Sequence, residues 1–548
     1  MAFKFRNSDS FSNILIKYFS FKNETKSMEP LIDLLPVLRN SDFDEFLNFL
    51  KENPEVTENF SYYIKNLFKG KPFNLSLTEA NILSENAFYP ELKKRLLDKL
   101  LPNIENEDTI WYLVDNISVQ PKKDLEFFRS LSAEQFDELF LLLKLDDYIT
   151  KKEVKRELLF SLNILAWRII GNAMEVEVLN MAPEYRNFDN PFLALQNEID
   201  VLNQDFKENP DFVIDSKDVN FKQIKVYLQQ CLDFVTVAFK NSAKYGISGK
   251  INQSLLKIRQ QLERMNDILS VMLINEESDV IKNSKQLFLN ILDYKSHKNN
   301  LKELFADSTT LMSHLITNHT AETGSHYITS NRRDYLNMFF RASGGGIIVG
   351  ALCVLKMLYS YFPGSDFLHA ILYSLNYAMG FVMIYLMNYV LATKQPAMTA
   401  ATMAKVLSAG ENTKKNYQDF AHLVSRLFRS QFIAFMGNVL LAFPVALAII
   451  YGLDVFFKQN FALEKSATLL KDLDPIQSQA IFHACIAGFF LFLSGIISGN
   501  VGNNSVFYHI PKRIEKNPFL NYFFGKNLAK GLSDYYAKNW AGIISNFW

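Results

Sequence analysis

The sequence predicts an all-α protein, with an N-terminal helical cytoplasmic domain followed by a polytopic α-helical membrane bundle. Three observations predict it. Two apolar runs, SGGGIIVGALCVLKMLYSYF and FLHAILYSLNYAMGFVMIYLMNYVLA, stand either side of a Pro-Gly turn within 343–410. At about twenty residues each, both are long enough to cross a bilayer. Charged residues crowd the first 330 positions, whereas apolar runs crowd the rest. Helical spacings recur throughout, and alternating strand patterns are scarce.

Composition narrows the function. Lys plus Arg and Asp plus Glu both number 58, so formal net charge is zero. No global field pulls the chain toward nucleic acid, which makes nucleic acid a doubtful partner. The three cysteines, Cys231, Cys353 and Cys485, are far apart and form no CxxC. Neither a disulfide framework nor a zinc ribbon is implied. The opening MAFKFRNSDSFSNILIKYFSF lacks a continuous apolar core and a small-residue cleavage site, so no signal peptide is expected.

Residues 1–150 form the first expected region, a set of short amphipathic helices. Ser76 followed by Glu79, and Ser132 followed by Gln135, fit capping boxes. Residues 151–330 form a second helical region. KKEVKRELLFSLNILAWRIIG makes one helix with a stop at Gly171, Asn190-Pro191 marks a break, and another helix stops near Gly246. Within this region a long amphipathic, coiled-coil-like helix is expected over 251–317. Ile251, Leu255, Ile258, Leu262, Met265, Leu269 and Met272 alternate spacings of four and three, a seam repeating every 3.5 residues. Packing inside the helical domain is favoured over an intermolecular coiled coil.

Residues 331–548 form the expected transmembrane domain, with spans at about 343–362, 367–392, 431–457 and 480–501. Pro444 should kink the third. Basic residues favour the N-terminal side, the loop 393–430 and the tail. The positive-inside rule then puts both termini in the cytoplasm and the protein in a bacterial inner membrane. Gly344, Gly345, Gly346 and Gly350, and the Gly495–Gly499 pair, allow close helix approach. Packing within the chain is favoured, and a homo-oligomer is compatible with the same residues.

Polar residues inside spans are the candidate sites. Lys356 falls inside the first span, where a central charge costs about 2.5–3.5 kcal/mol and calls for a partner or cavity. With Asn376 in the second span it makes the best polar interior, serving either a polar solute or interhelical hydrogen bonding. Asn388 and Asn438 also fall within spans. Lys394, Gln395 and Pro396 end the second span. Pro396 frees backbone carbonyls there, which suits either a binding site or the interfacial start of a new helix. His319, Glu322 and His326 are three and four residues apart and would share a helix face able to hold a metal. Gly324 weakens that helix and no fourth ligand follows, so capping of the first membrane helix is favoured. Walker, Rossmann and Ser-His-Asp patterns are absent, so no cofactor is expected.

Several strings also carry a family resemblance. HTAETGSHYITSNRRDYLNMFFRASGGG, SLNYAMGFVMIYLMNYVLATKQPAMTAATMA, NPFLALQNE and KYGISGKINQSLLKIRQQLERM resemble a bacterial membrane family described as site-specific recombinases of the Gcr type. The likeness runs from about 150 to the end, and LATKQPAMTA is its most specific part. It implies a helical cytoplasmic region and a membrane half. It also implies further apolar segments after NWAGIISNFW, and hence a chain cut short at its C-terminus. The family description implies DNA strand exchange, and enzymatic activity therefore stays open. The residues themselves point to a non-enzymatic envelope or transport-related role, with the bilayer as one partner and the solute or protein partner unknown. A membrane-bound metal-dependent hydrolase built on the His319 group is the weakest alternative.

Overall fold

The structure, a computed structural model, describes residues 10–22, 24–80, 82, 88–101, 106–107, 109–117, 120–149, 151–186, 190–209, 214–273, 277–297, 300–302, 305, 328–394, 399, 402–403, 413–476 and 478–548. Among these residues the chain is helical throughout, and the only strand-like pairing is an isolated parallel bridge between Ile214 and Leu273. The chain divides into two units, Met1–Asn241 with Gly249–Thr309, and Ser242–Ser248 with Thr310–Trp548.

In the first unit, short helices from Phe11–Phe19 to Leu145–Ile149 enclose an aromatic core. Phe19, Phe46 and Tyr63 are fully buried, and the Phe19 ring lies 5.0 Å from Phe60 and 5.2 Å from Tyr63. Each such side chain contributes about 1.5–3 kcal/mol of apolar burial. The Ser132 capping box forms with both of its reciprocal bonds. Ser76 does not cap. It lies inside helix Asn74–Glu79, buried, and Phe73 precedes that helix without a side-chain cap.

The remaining helices of this unit are α1 (Lys152–Ala173), α2 (Pro191–Glu208), α3 (Val219–Lys240), α4 (Gly249–Met272) and α5 (Glu277–His297). Helix α1 runs past Gly171, whereas Asn190 caps α2 by accepting from the Phe192 N–H, with Pro191 in the first turn. The seam from Ile251 to Met272 is buried along its whole length, packed against α1, α3 and α5. It therefore serves the core of its own domain. It is also shorter than the sequence suggested. Leu273 leaves the helix to bridge Ile214, and α5 is a separate helix that contacts α4. Ile281 and Leu292 of α5 join the core made by the first 150 residues. The rest of 251–317 lies largely outside the described residues.

Five long helices frame the second unit: α6 (Arg332–Tyr359), α7 (Asp366–Leu386), α8 (Thr413–Phe457), α9 (Ala480–Phe507) and α10 (Lys526–Phe547). The first four are long and apolar enough to cross a membrane, counting α8 from Tyr417. This is a membrane protein by that measure. Its side chains fit a lipid setting, because Phe435, Phe443, Leu447, Phe482, Phe489 and Phe492 are exposed along α8 and α9.

Helix α6 contacts α7 and α8, and α10 contacts α7 and α9. The helices do not end where the expected spans do. The first helix begins at Arg332, because Asn331 and Asp334 form a capping box. The second helix ends at Leu386, leaving Asn388 outside the helix. The fourth extends to Phe507. Pro444 sits within an unbroken α8. Gly495 is buried, with open space where a Cβ would go.

Candidate functional site

The site grows from the end of α7. Met387 closes the helix, and Asn388 follows at φ +63°, a left-handed conformation that Asn tolerates better than most residues. Tyr389, Val390 and Leu391 are irregular, and Ala392–Lys394 make one 3₁₀ turn. A helix would satisfy these backbone groups internally, so here side chains must do it.

Neighbouring helices supply the partners. Asn438 of α8 donates from Nδ2 to the Val390 carbonyl (2.9 Å) and the Ala342 carbonyl (2.7 Å). Its Oδ1 accepts from the Ala392 N–H at 2.8 Å. Gln431, two turns earlier on α8, donates to the Ala392 carbonyl at 3.1 Å. Arg341 of α6 donates from Nε to the Asn388 carbonyl at 2.7 Å and from Nη2 to Asn388 Oδ1 at 3.3 Å. The Val390 N–H in turn donates to the Arg341 carbonyl at 3.2 Å.

Lys394 closes the segment. It is 6% exposed and donates to Asn546 Oδ1 at 2.8 Å and to the Ser545 carbonyl at 3.3 Å. Its Nζ lies 5.2 Å from the Phe381 ring centre. Both hydrogen-bond partners belong to the last turn of α10, the end of a helix that favours a cation.

The other candidates are placed differently. Lys356 is exposed in the last turn of α6, with Nζ 5.6 Å and 5.8 Å from the Tyr373 and Tyr377 rings. Asn376 is buried and donates to the Leu352 carbonyl at 3.0 Å. Lys356 and Asn376 thus share the α6–α7 contact, while Lys394 lies beyond the far end of α7. Gln395, Pro396, His319, Glu322 and His326 lie outside the described residues. Among the described residues no group of three His, Cys, Asp or Glu is placed to hold a metal ion.

The family model described as site-specific recombinase matches residues 15–548. The chain belongs to the site-specific recombinase family. No curated protein and no solved structure matches it. For this family member the match extends to the first helices, well beyond the strings that carried the resemblance. Sequence reasoning about the site passed over Arg341 and Gln431. It noted Asn438 only as a polar residue in a span, and it did not consider Ser545 and Asn546. The available signal was Asn438 within the apolar part of α8, with Gln431 two turns earlier where that part begins.

Proposed function

We propose that this protein works in the cytoplasmic membrane, its N-terminal helical unit on the cytoplasmic side, in a non-enzymatic envelope or transport-related role. The observation that carries this reading is the break after α7. Irregular backbone from Asn388 to Lys394 is held among apolar helices by Arg341, Gln431 and Asn438. At membrane depth such backbone is tolerated only where protein or a water-lined cavity covers it. Broken helices near polar side chains are also where membrane transporters hold solutes and ions. The basic residues between 393 and 430 support a cytoplasmic end for this segment.

DNA strand exchange is the second reading, and the family description favours it. Such chemistry needs a nucleophile beside cations that stabilise a phosphorane-like transition state. The full chain in lipid nanodiscs, mixed with duplex DNA at low and high salt, separates the two readings in a gel-shift assay. No binding at low salt is expected. Salt-dependent binding at micromolar affinity or tighter would overturn the non-enzymatic reading in favour of recombination.

A further inference from the structure

A half-open cleft of about 460 Å³ lies at the foot of α6, with Thr329, Asp334, Asn337, Phe340 and Arg341 among its walls. Asp334, Asn337 and Arg341 recur at spacings of three and four, so they line one face over two turns. The Thr329 N–H donates to Ser430 Oγ at 2.9 Å, and the two hydroxyls are 2.8 Å apart. That contact brings α8 alongside, with Arg426 and Arg429 close to Ser430 in sequence. The stretches 328–341 and 423–432 together contain Arg332, Arg333, Arg341, Arg426 and Arg429 against one acid, Asp334.

The Asp334 carboxylate is already engaged, accepting from the Ser330 and Asn331 N–H groups at 3.3 Å each. Arg332 and Arg333 occupy the first turn of α6, where the helix dipole disfavours cations. An anion from outside the chain removes that conflict. At the same level Phe340, Phe428 and Phe432 are exposed, a belt of aromatic side chains suited to a membrane–water boundary.

We propose that this cleft holds the headgroup of an anionic phospholipid, its phosphate facing Arg341 and Asn337 and its acyl chains along Phe340. Arg341 in the wall, the further arginines on the same two stretches and the exposed aromatic side chains together fit an amphipathic anion. The proposal rests on α6 and α8 being membrane spans. Because Arg341 also holds the Asn388 carbonyl, a lipid seated here touches the residue that anchors the broken span.

The test uses the purified full chain in detergent, titrated with phosphatidylglycerol or phosphatidylcholine and read by native mass spectrometry. The wild type should bind phosphatidylglycerol preferentially. Asn337→Trp fills the cleft from an exposed position without changing charge and should abolish the preference. Asn337→Phe is a second blocking variant. Both should unfold at the wild-type temperature without lipid, and phosphatidylglycerol should raise the midpoint of the wild type only. Arg333→Gln with Arg429→Gln, both exposed, should weaken phosphatidylglycerol binding by about fivefold per arginine. Undiminished preference in both cleft-filled variants would overturn the proposal, leaving surface charge alone. Displacement of the lipid by millimolar inorganic phosphate would overturn it in favour of a soluble anion. Recovery of the chain in the soluble fraction without detergent would instead refute the membrane reading beneath it.

Discussion

Two buried asparagines of the membrane unit should differ sharply in what they contribute. Asn376 makes one bond, to the Leu352 carbonyl, which lies inside α6 and is served by the helical ladder. Removing it should cost about 0.6 kcal/mol, as for most intramembrane side-chain hydrogen bonds. Asn438 serves irregular backbone. Asn438→Ala leaves the Val390 carbonyl and the Ala392 N–H without the partner each has now. The Ala342 carbonyl, within α6, keeps its ladder bond. An orphaned buried backbone group costs about 1–3 kcal/mol, so two orphans cost about 2–6 kcal/mol together. Asn438→Ala should therefore cost at least about three times as much as Asn376→Ala. Reversible SDS-induced unfolding of the full chain in mixed micelles measures both. Equal costs for the two variants, or less than about 1 kcal/mol for Asn438→Ala, would refute the view that side chains sustain the broken span.

In the first unit, Gln261 is fully buried and neither amide atom has a partner among the described residues. Gln261→Met should raise stability by about 1 kcal/mol or more, and a loss in thermal unfolding would contradict this. Reporter fusions should place residue 365 outside the cytoplasm and residues 420 and 520 inside it. Cytoplasmic activity at 365 would reverse the assigned orientation.

Much of the architecture was legible because its signals are local. Ile251 to Met272 repeat every 3.5 residues, and every member is buried. The four spans announce themselves by length and apolarity. What escaped depends on distant pairing or on where a helix starts. Lys356 looked internal because the first span seemed to open at the glycines. The helix instead starts at Arg332 and stops at Tyr359, and that stop puts Lys356 in its last turn. Helix α10 escaped because Lys526, Lys530, Asp534 and Lys538 dilute its apolar residues. Its small residues carry the contact instead: a Cβ on Gly542 would meet the Tyr385 ring at 2.1 Å.

The glycines of α6 take on a second meaning once the broken span is in place. Small residues at a helix interface ordinarily let two regular helices approach. Here they also make room for irregular backbone. A Cβ on Gly345 would come within 2.5 Å of the Val390 carbonyl oxygen and 3.1 Å of Asn438 Nδ2, the two atoms of one hydrogen bond. A Cβ on Gly346 would stand 2.4 Å from the Asn438 carbonyl oxygen. Backbone cannot rotate out of the way as a flexible side chain can, so α6 or α8 would have to move. The bond that holds Val390 would then lengthen along with the displacement. The Gly-Gly pair and Asn438 therefore act as one device. The glycines set the distance, and Asn438 uses it to satisfy backbone that α7 has left unpaired.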